Sequence, residues 1–136
     1  MLLKEFLTPE QAAAVRRKEI LQLFHAPLGR KILSCSHVVR EMKFSILMDG
    51  SIYDRSVTGE KIMLQGVVDC LLLEPNGLTV IDFKTDSVSP GREAERAARD
   101  TGQLKAYSMA LERIYRQPVC HRLLYFLSTG CAVEIP

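Results

Sequence analysis

The sequence predicts an α/β (α+β) domain built on one mixed sheet. Helical patterning opens the chain, three stretches of strand character joined by turns follow, and a long amphipathic helix then separates them from two further strands. A strand meander followed by a helix and a return to strand is the pattern of helices packed on a mixed sheet. The 136 residues, 47% hydrophobic and 25% charged, are enough for one core.

Thr8-Pro9-Glu10-Gln11 reads as a helix start, with Thr8 as N-cap, Pro9 in the first helical position and Gln11 three residues after the cap. That helix is expected to reach Lys18, and a second, short one to cover Glu19 to Phe24. Pro27-Leu28-Gly29 is expected to break the chain before a helical turn over Arg30 to Cys35. From Val38 to Met48 the pattern alternates, with Met42, Phe44, Ile46 and Met48 on one side and Glu41, Lys43 and Ser45 on the other. That is a half-buried strand. Asp49-Gly50-Ser51 is a turn, and a polar connection runs from Ile52 to Gly59. Ile62 to Leu73 is a long strand, Glu74-Pro75-Asn76-Gly77 a hairpin turn, and Leu78 to Thr85 the return strand. After a loop, one helix is expected from Arg92 to Arg116, with Ala97, Leu104, Ser108, Leu111 and Tyr115 as its apolar stripe and Pro118 beyond its end. Val119 to Leu127 and Cys131 to Ile135 are the last strands.

Composition excludes several classes. Eighteen Lys and Arg against sixteen Asp and Glu leave a net charge of +2, so overall charge does not announce a nucleic-acid surface. No apolar run approaches a membrane span, and Met1-Leu2-Leu3-Lys4-Glu5-Phe6 is not a secretory leader, so a cytoplasmic protein is expected. Cys35, Cys70, Cys120 and Cys131 stand alone, without a C-x-x-C pair. They are expected to pack as buried thiols rather than to hold zinc or form disulfides. His25, His37 and His121 show no metal-ligand spacing.

The chemistry concentrates in the hairpin. Gly66-Val67-Val68-Asp69 runs against Ile81-Asp82-Phe83-Lys84, and alternation puts Asp82 and Lys84 on one face. If Leu73 pairs with Leu78, Asp69 lies opposite Asp82; if Pro75 pairs with Leu78, Asp69 faces Lys84. Either register gathers the three on one face. Opposed carboxylates stand about 4.5–5.5 Å apart at Cα, and the repulsion grows among apolar neighbours. A bridging hard cation, Mg²⁺ or Mn²⁺, would relieve it, with Lys84 adding a positive charge for an attacking water or a phosphoryl oxygen. The competing view is an ion pair on a solvated sheet face. Val67, Val68, Leu71, Leu72 and Leu73 argue against it, because they imply a strand covered on both sides.

On the helix, Arg92, Arg96, Arg99 and Gln103 recur at four, three and four residues, and Tyr107 follows one turn later. A line of guanidinium groups ending in an amide and a phenol suits a phosphate backbone; the competing view is a solvated face balanced by Glu93 and Glu95, but a single helix would place those two elsewhere around its axis. Glu41 is a further candidate acid beside the site.

Taken in order, Gly66-x-x-Asp69, Asp82-x-Lys84 and Gln103-x-x-x-Tyr107 resemble the PD-(D/E)xK nuclease superfamily, more narrowly nuclease domains of the RecB/AddA type. Leu7-Thr8-Pro9-Glu10-Gln11, Pro27-Leu28-Gly29-Arg30, Arg40 to Ser45 and Leu124-Tyr125-Phe126-Leu127 extend the likeness over nearly the whole chain. The resemblance implies a restriction-endonuclease-like αβββαβ core. It implies Asp69, Asp82 and the Phe83 carbonyl as Mg²⁺ ligands (Mn²⁺ substituting), Lys84 as the catalytic lysine, and Gln103 and Tyr107 on the DNA strand. It also implies an exonuclease acting in double-strand break repair and recombination, with two partners, an upstream helicase domain and an AddB-like second subunit. Residues 1–36 would be a helical lead-in and 37–136 the catalytic core of a C-terminal nuclease domain. Two departures stand out: the family's Gly-x-x-x-His element is not matched, and the cysteines do not reproduce an iron-sulfur pattern, so no such cluster is expected. A catalytically silent DNA- or partner-binding fragment and a free-standing restriction-like nuclease are the alternatives.

Overall fold

The computed structural model describes residues 17–136 except Tyr53, so the helix start at Thr8 lies outside the described residues. Helices α1 (Arg17–His25) and α2 (Pro27–Ser34) precede strands β1 (Val38–Asp49), β2 (Lys61–Glu74) and β3 (Gly77–Lys84). Helices α3 (Glu93–Ala97) and α4 (Thr101–Tyr115) follow, then β4 (Val119–Phe126) and β5 (Cys131–Ile135). The connection after β1 holds two short 3-10 turns, at 50–52 and 55–57.

The five strands lie side by side in chain order. Neighbours are antiparallel except β3 and β4, which run parallel. A parallel pair cannot be joined by a tight turn, and the helical segment between them supplies the crossover. The domain is therefore an α+β mixed sheet of the expected class. One face carries α3 and α4, packed through Ala97, Leu104, Ala110 and Leu111 onto Phe44, Val68, Leu71, Val80, Leu124 and Phe126. The other carries α1 and α2, whose Leu23, Leu28 and Ile32 cover Cys70, Leu72, Ile81 and Tyr125. Burying large apolar side chains on both faces, at about 1.5–3 kcal/mol each, holds the three layers together.

Three expectations are corrected. Pro27 does not break the chain; it opens α2 at a first-turn position, where its missing N–H costs nothing. Gly29 lies within that helix because α1 passes too close for a side chain: a Cβ there would stand 1.9 Å from the Leu23 carbonyl oxygen. The single helix from Arg92 to Arg116 is broken into α3, a 3-10 turn at 98–100, and α4. Asp100, with φ −100° and ψ 0°, is where it breaks. The thiols differ too: all four are free, but only Cys70 is buried, Cys35 and Cys131 are intermediate, and Cys120 is exposed.

The middle of the sheet departs from regular alternation. In β2, Leu64 and Val68 face the α4 side, but so do Leu71 and Leu73, while Cys70 and Leu72 face the other helices. The parity of β2 therefore reverses next to Asp69. The partner strand reverses with it: Met42 and Phe44 pack toward α4, Val39 does too, and Val38 packs on the opposite side. Glu41, between them, has φ +48°. Before this reversal β2 is half-covered, and Val67 is 48% exposed, contrary to the expectation of cover on both sides.

Candidate active site

The β2–β3 hairpin adopts the register in which Leu73 pairs with Leu78 and Cys70 with Ile81. Asp69 precedes Cys70, one residue beyond the paired stretch, and continuation of the register sets it across from Asp82. The parity reversal turns it to the α4 side with Leu71, and Val80 sets the same direction for Asp82 and Lys84. Asp69, Asp82, Lys84, Gln103 and Tyr107 together line a cavity of about 130 Å³ between the sheet and α4. Five of the expected residues are thus brought to one place.

Each is held by a local cause. Asp69 Oδ2 accepts a hydrogen bond from the Phe83 N–H at 2.9 Å, which ties its carboxylate to the main chain of the D-x-K strand. Asp82 Oδ2 lies 2.8 Å from Lys84 Nζ. Tyr107 lies edge-on against Phe44, with ring centroids 5.0 Å apart, and its hydroxyl accepts from Gln103 Nε2 at 3.1 Å. Gly66 makes that ring position available: a Cβ there would fall 2.4 Å from Tyr107 Cζ. The glycine of the G-x-x-D motif is thus a space requirement of the Q-x-x-x-Y helix.

The electrostatics follow from burial. Desolvation first, then the hydrogen-bonded carboxyl of Asp69, pushes Asp82 up to about 6, while Lys84 pulls the other way. Burial works against the Lys84 ammonium, but the hydrogen bond and charge of Asp82, with Asp100 adding to them, raise it above the usual lysine range. Two crowded carboxyls with hard oxygen donors suit a divalent cation of the Mg²⁺ class, whose positive charge would relieve the repulsion. Among the described residues no set of three or more His, Cys, Asp and Glu side chains gathers as a metal site. The donors on hand are therefore Asp69, Asp82 and the adjacent main chain.

The arginine row is not the continuous face that a single helix would give. Arg92 caps α3 and pairs with Glu95 at 3.0 Å, so Glu95 does not lie elsewhere on the helix. Arg96 is held by Asp86 at 2.9 Å and Asp100 at 2.7 Å. Arg99 is exposed in the 3-10 turn. Glu41 is exposed and does not line the cavity. Asp100, 3.4 Å from Lys84 Nζ, is a participant that the sequence reading missed. Its signal was Asp100-Thr101-Gly102, three poor helix formers in a row.

A family model described as the PD-(D/E)XK nuclease superfamily matches residues 4–132. The chain belongs to this superfamily. It is also similar to bacterial proteins that carry the name of an ATP-dependent helicase/nuclease subunit. It is 39% identical over 132 residues to the one from Desulforudis audaxviator, covering 95% of this chain and 11% of that protein. To the one from Pelotomaculum thermopropionicum it is 40% identical over 137 residues, covering 98% and 11%. The Bacillus cereus protein is 36% identical over 145 residues, with 99% and 12% covered. This PD-(D/E)XK chain thus spans 11–12% of the length of these relatives. Among the described residues no helix is long and apolar enough to cross a membrane.

Proposed function

We propose that the chain is a Mg²⁺-dependent DNA exonuclease domain, the nuclease part of an AddA-like ATP-dependent helicase-nuclease that acts in double-strand break repair and recombination. The observation that carries this is the shared cavity of Asp69, Asp82 and Lys84, roofed by Gln103 and Tyr107. Superfamily membership supports phosphodiester hydrolysis. The names of the relatives support the helicase-nuclease context.

In this reading Asp69, Asp82 and the Phe83 carbonyl hold the cation. When bound, it activates water and neutralises charge growing on the phosphoryl oxygens. Phe83 contributes twice, because its N–H already fixes Asp69. Lys84 orients the water for in-line attack on phosphorus or steadies a phosphoryl oxygen with its ammonium, which its two carboxylate neighbours keep protonated. Gln103 and Tyr107 hold the strand at the cavity. Exposed Arg99, and Arg92 in exchange for its exposed partner Glu95, contact the phosphates leading away; Arg96 is committed to two carboxylates. The products are a 5′-phosphate and a 3′-hydroxyl. The proposed partners are upstream helicase domains and an AddB-like second subunit.

Linear DNA incubated with the chain and Mg²⁺ tests this. Cleavage is expected, and Asp82→Ala and Lys84→Ala are each expected to abolish it; cutting that survives either substitution removes the mechanism. A second reading, a DNA-binding module without turnover, is favoured by one observation: among the described residues, two acidic side chains line the cavity and no larger group of metal-binding side chains gathers. Calorimetric titration with Mn²⁺ separates the two: one-site binding together with turnover excludes the silent module.

A further inference from the structure

Lys84 stands between two carboxylates, only one of which belongs to its own strand. Its Nζ is 2.8 Å from Asp82 Oδ2 and 3.4 Å from Asp100 Oδ2. Asp100 owes its position to the break between α3 and α4, and the same oxygen receives Arg96 Nη1 at 2.7 Å. Arg96 is anchored in turn by Asp86, just beyond the end of β3. A chain of alternating charge thus runs Asp82, Lys84, Asp100, Arg96, Asp86, and neither Asp100 nor Arg96 lines the cavity.

We propose that Asp100 is a positioning residue that receives the Lys84 ammonium when a cation takes Asp82, and so keeps Lys84 at the cavity edge. The inference rests on the cation reading proposed above. A cation approaching Asp82 competes with an ammonium already on that carboxylate. Without a second acceptor, releasing Lys84 would strand a charge whose side chain is only 19% exposed, a costly state. Asp100 offers an acceptor within reach of a small movement of a flexible side chain. Arg96 keeps the Asp100 carboxylate from following the ammonium and balances its charge, so that Asp100 is not itself drawn to the cation.

The test is a double-mutant cycle on Mn²⁺ affinity, read by calorimetry on the full chain, which needs no turnover. Asp100→Ala is expected to weaken Mn²⁺ binding about tenfold when Lys84 is present, and less than about twofold in the Lys84→Ala background. Equal losses in both backgrounds overturn the proposal, because Asp100 would then not act through Lys84. Circular dichroism checks folding. If the alanine variant unfolds, Asp100→Asn, which still accepts from Arg96 but lacks the charge, takes its place in the same cycle with the same criterion. In DNA cleavage, kcat is expected to fall about ten- to a hundredfold with KM for DNA unchanged, as for a displaced reacting group. Wild-type chain that binds no Mn²⁺ removes the cation reading and this inference together. Wild type that binds and cuts, with Asp100→Ala its equal in both, removes the inference alone.

Discussion

Glu41 and Asp69 face each other across β1 and β2 at an interruption of the ladder, between the pairs Arg40–Cys70 and Met42–Val68. Both strands turn over at this point without losing register. Glu41 adopts φ +48°, and Asp69 is thereby delivered to the face that carries Asp82. The strain of the site is thus placed on an exposed residue of the neighbouring strand.

Substitution at Glu41 separates backbone from chemistry. A side chain in the left-handed region costs on the order of 1–2 kcal/mol, which glycine avoids while losing more chain entropy on folding. Glu41→Gly is expected to leave the protein as stable or up to about 1 kcal/mol more stable, and Glu41→Val to destabilise it by roughly 1–3 kcal/mol. Urea denaturation measures both. Because Glu41 does not line the cavity, Glu41→Gly is also expected to leave cleavage intact; a stable but inactive variant would return Glu41 to the set of acids in the site.

Gly66 and Tyr107 form a pair in which one makes room for the other. Gly66→Ala is expected to cost roughly 1–3 kcal/mol, because the new methyl occupies the place of the phenol ring. Adding Tyr107→Ala should recover much of that loss in denaturation curves, since it removes the obstructed ring. If the two losses simply add, the ring and the glycine are not in conflict.

Acid should release the cation. Asp82 is raised to about 6, so below that pH it holds a proton that a cation must displace. Mn²⁺ affinity is expected to rise with pH through about 6 and then level off, as followed by calorimetry between pH 5 and 8 in buffers of different ionisation heat. Affinity that is flat across this window contradicts the placement of the cation on Asp82.

The same shift has a sign for stability. A carboxyl whose folded value lies above its unfolded one binds its proton more tightly when folded, so stability falls as pH rises from about 4 to about 6. Asp82→Asn, which never ionises, should therefore stabilise the metal-free protein by about 1–2 kcal/mol at pH 8. The gain should vanish below pH 4. Thermal denaturation at both pH values checks it; an equal gain at both would mean that ionisation is not the cause.

Much of this was legible in the residues. Alternation in β1 and the turn at Glu74 to Gly77 placed the strands, and the pairing of Leu73 with Leu78 is one of the two registers that the sequence allowed. The facing of Asp82 and Lys84 followed from period two alone. The reversal at Asp69 did not show, because Val67 to Leu73 is apolar on both parities apart from Asp69 and so carries no facing signal. Glu41 gave no warning either, since glutamate is not a residue that advertises positive φ. Pro27-Leu28-Gly29 read as a break because the need for glycine came from α1, a contact across the helix pair. Arg96 read as a free guanidinium because one of its partners, Asp86, lies ten residues back and is brought near only by the fold.

Electron density from a crystal soaked in Mn²⁺, with anomalous scattering to identify the ion, tests the central claim most directly. The account predicts one ion between the carboxylates of Asp69 and Asp82, with Lys84 moved from Asp82 toward Asp100. An ion bound elsewhere, or none at this cavity in a crystal of protein that cuts DNA, would contradict it.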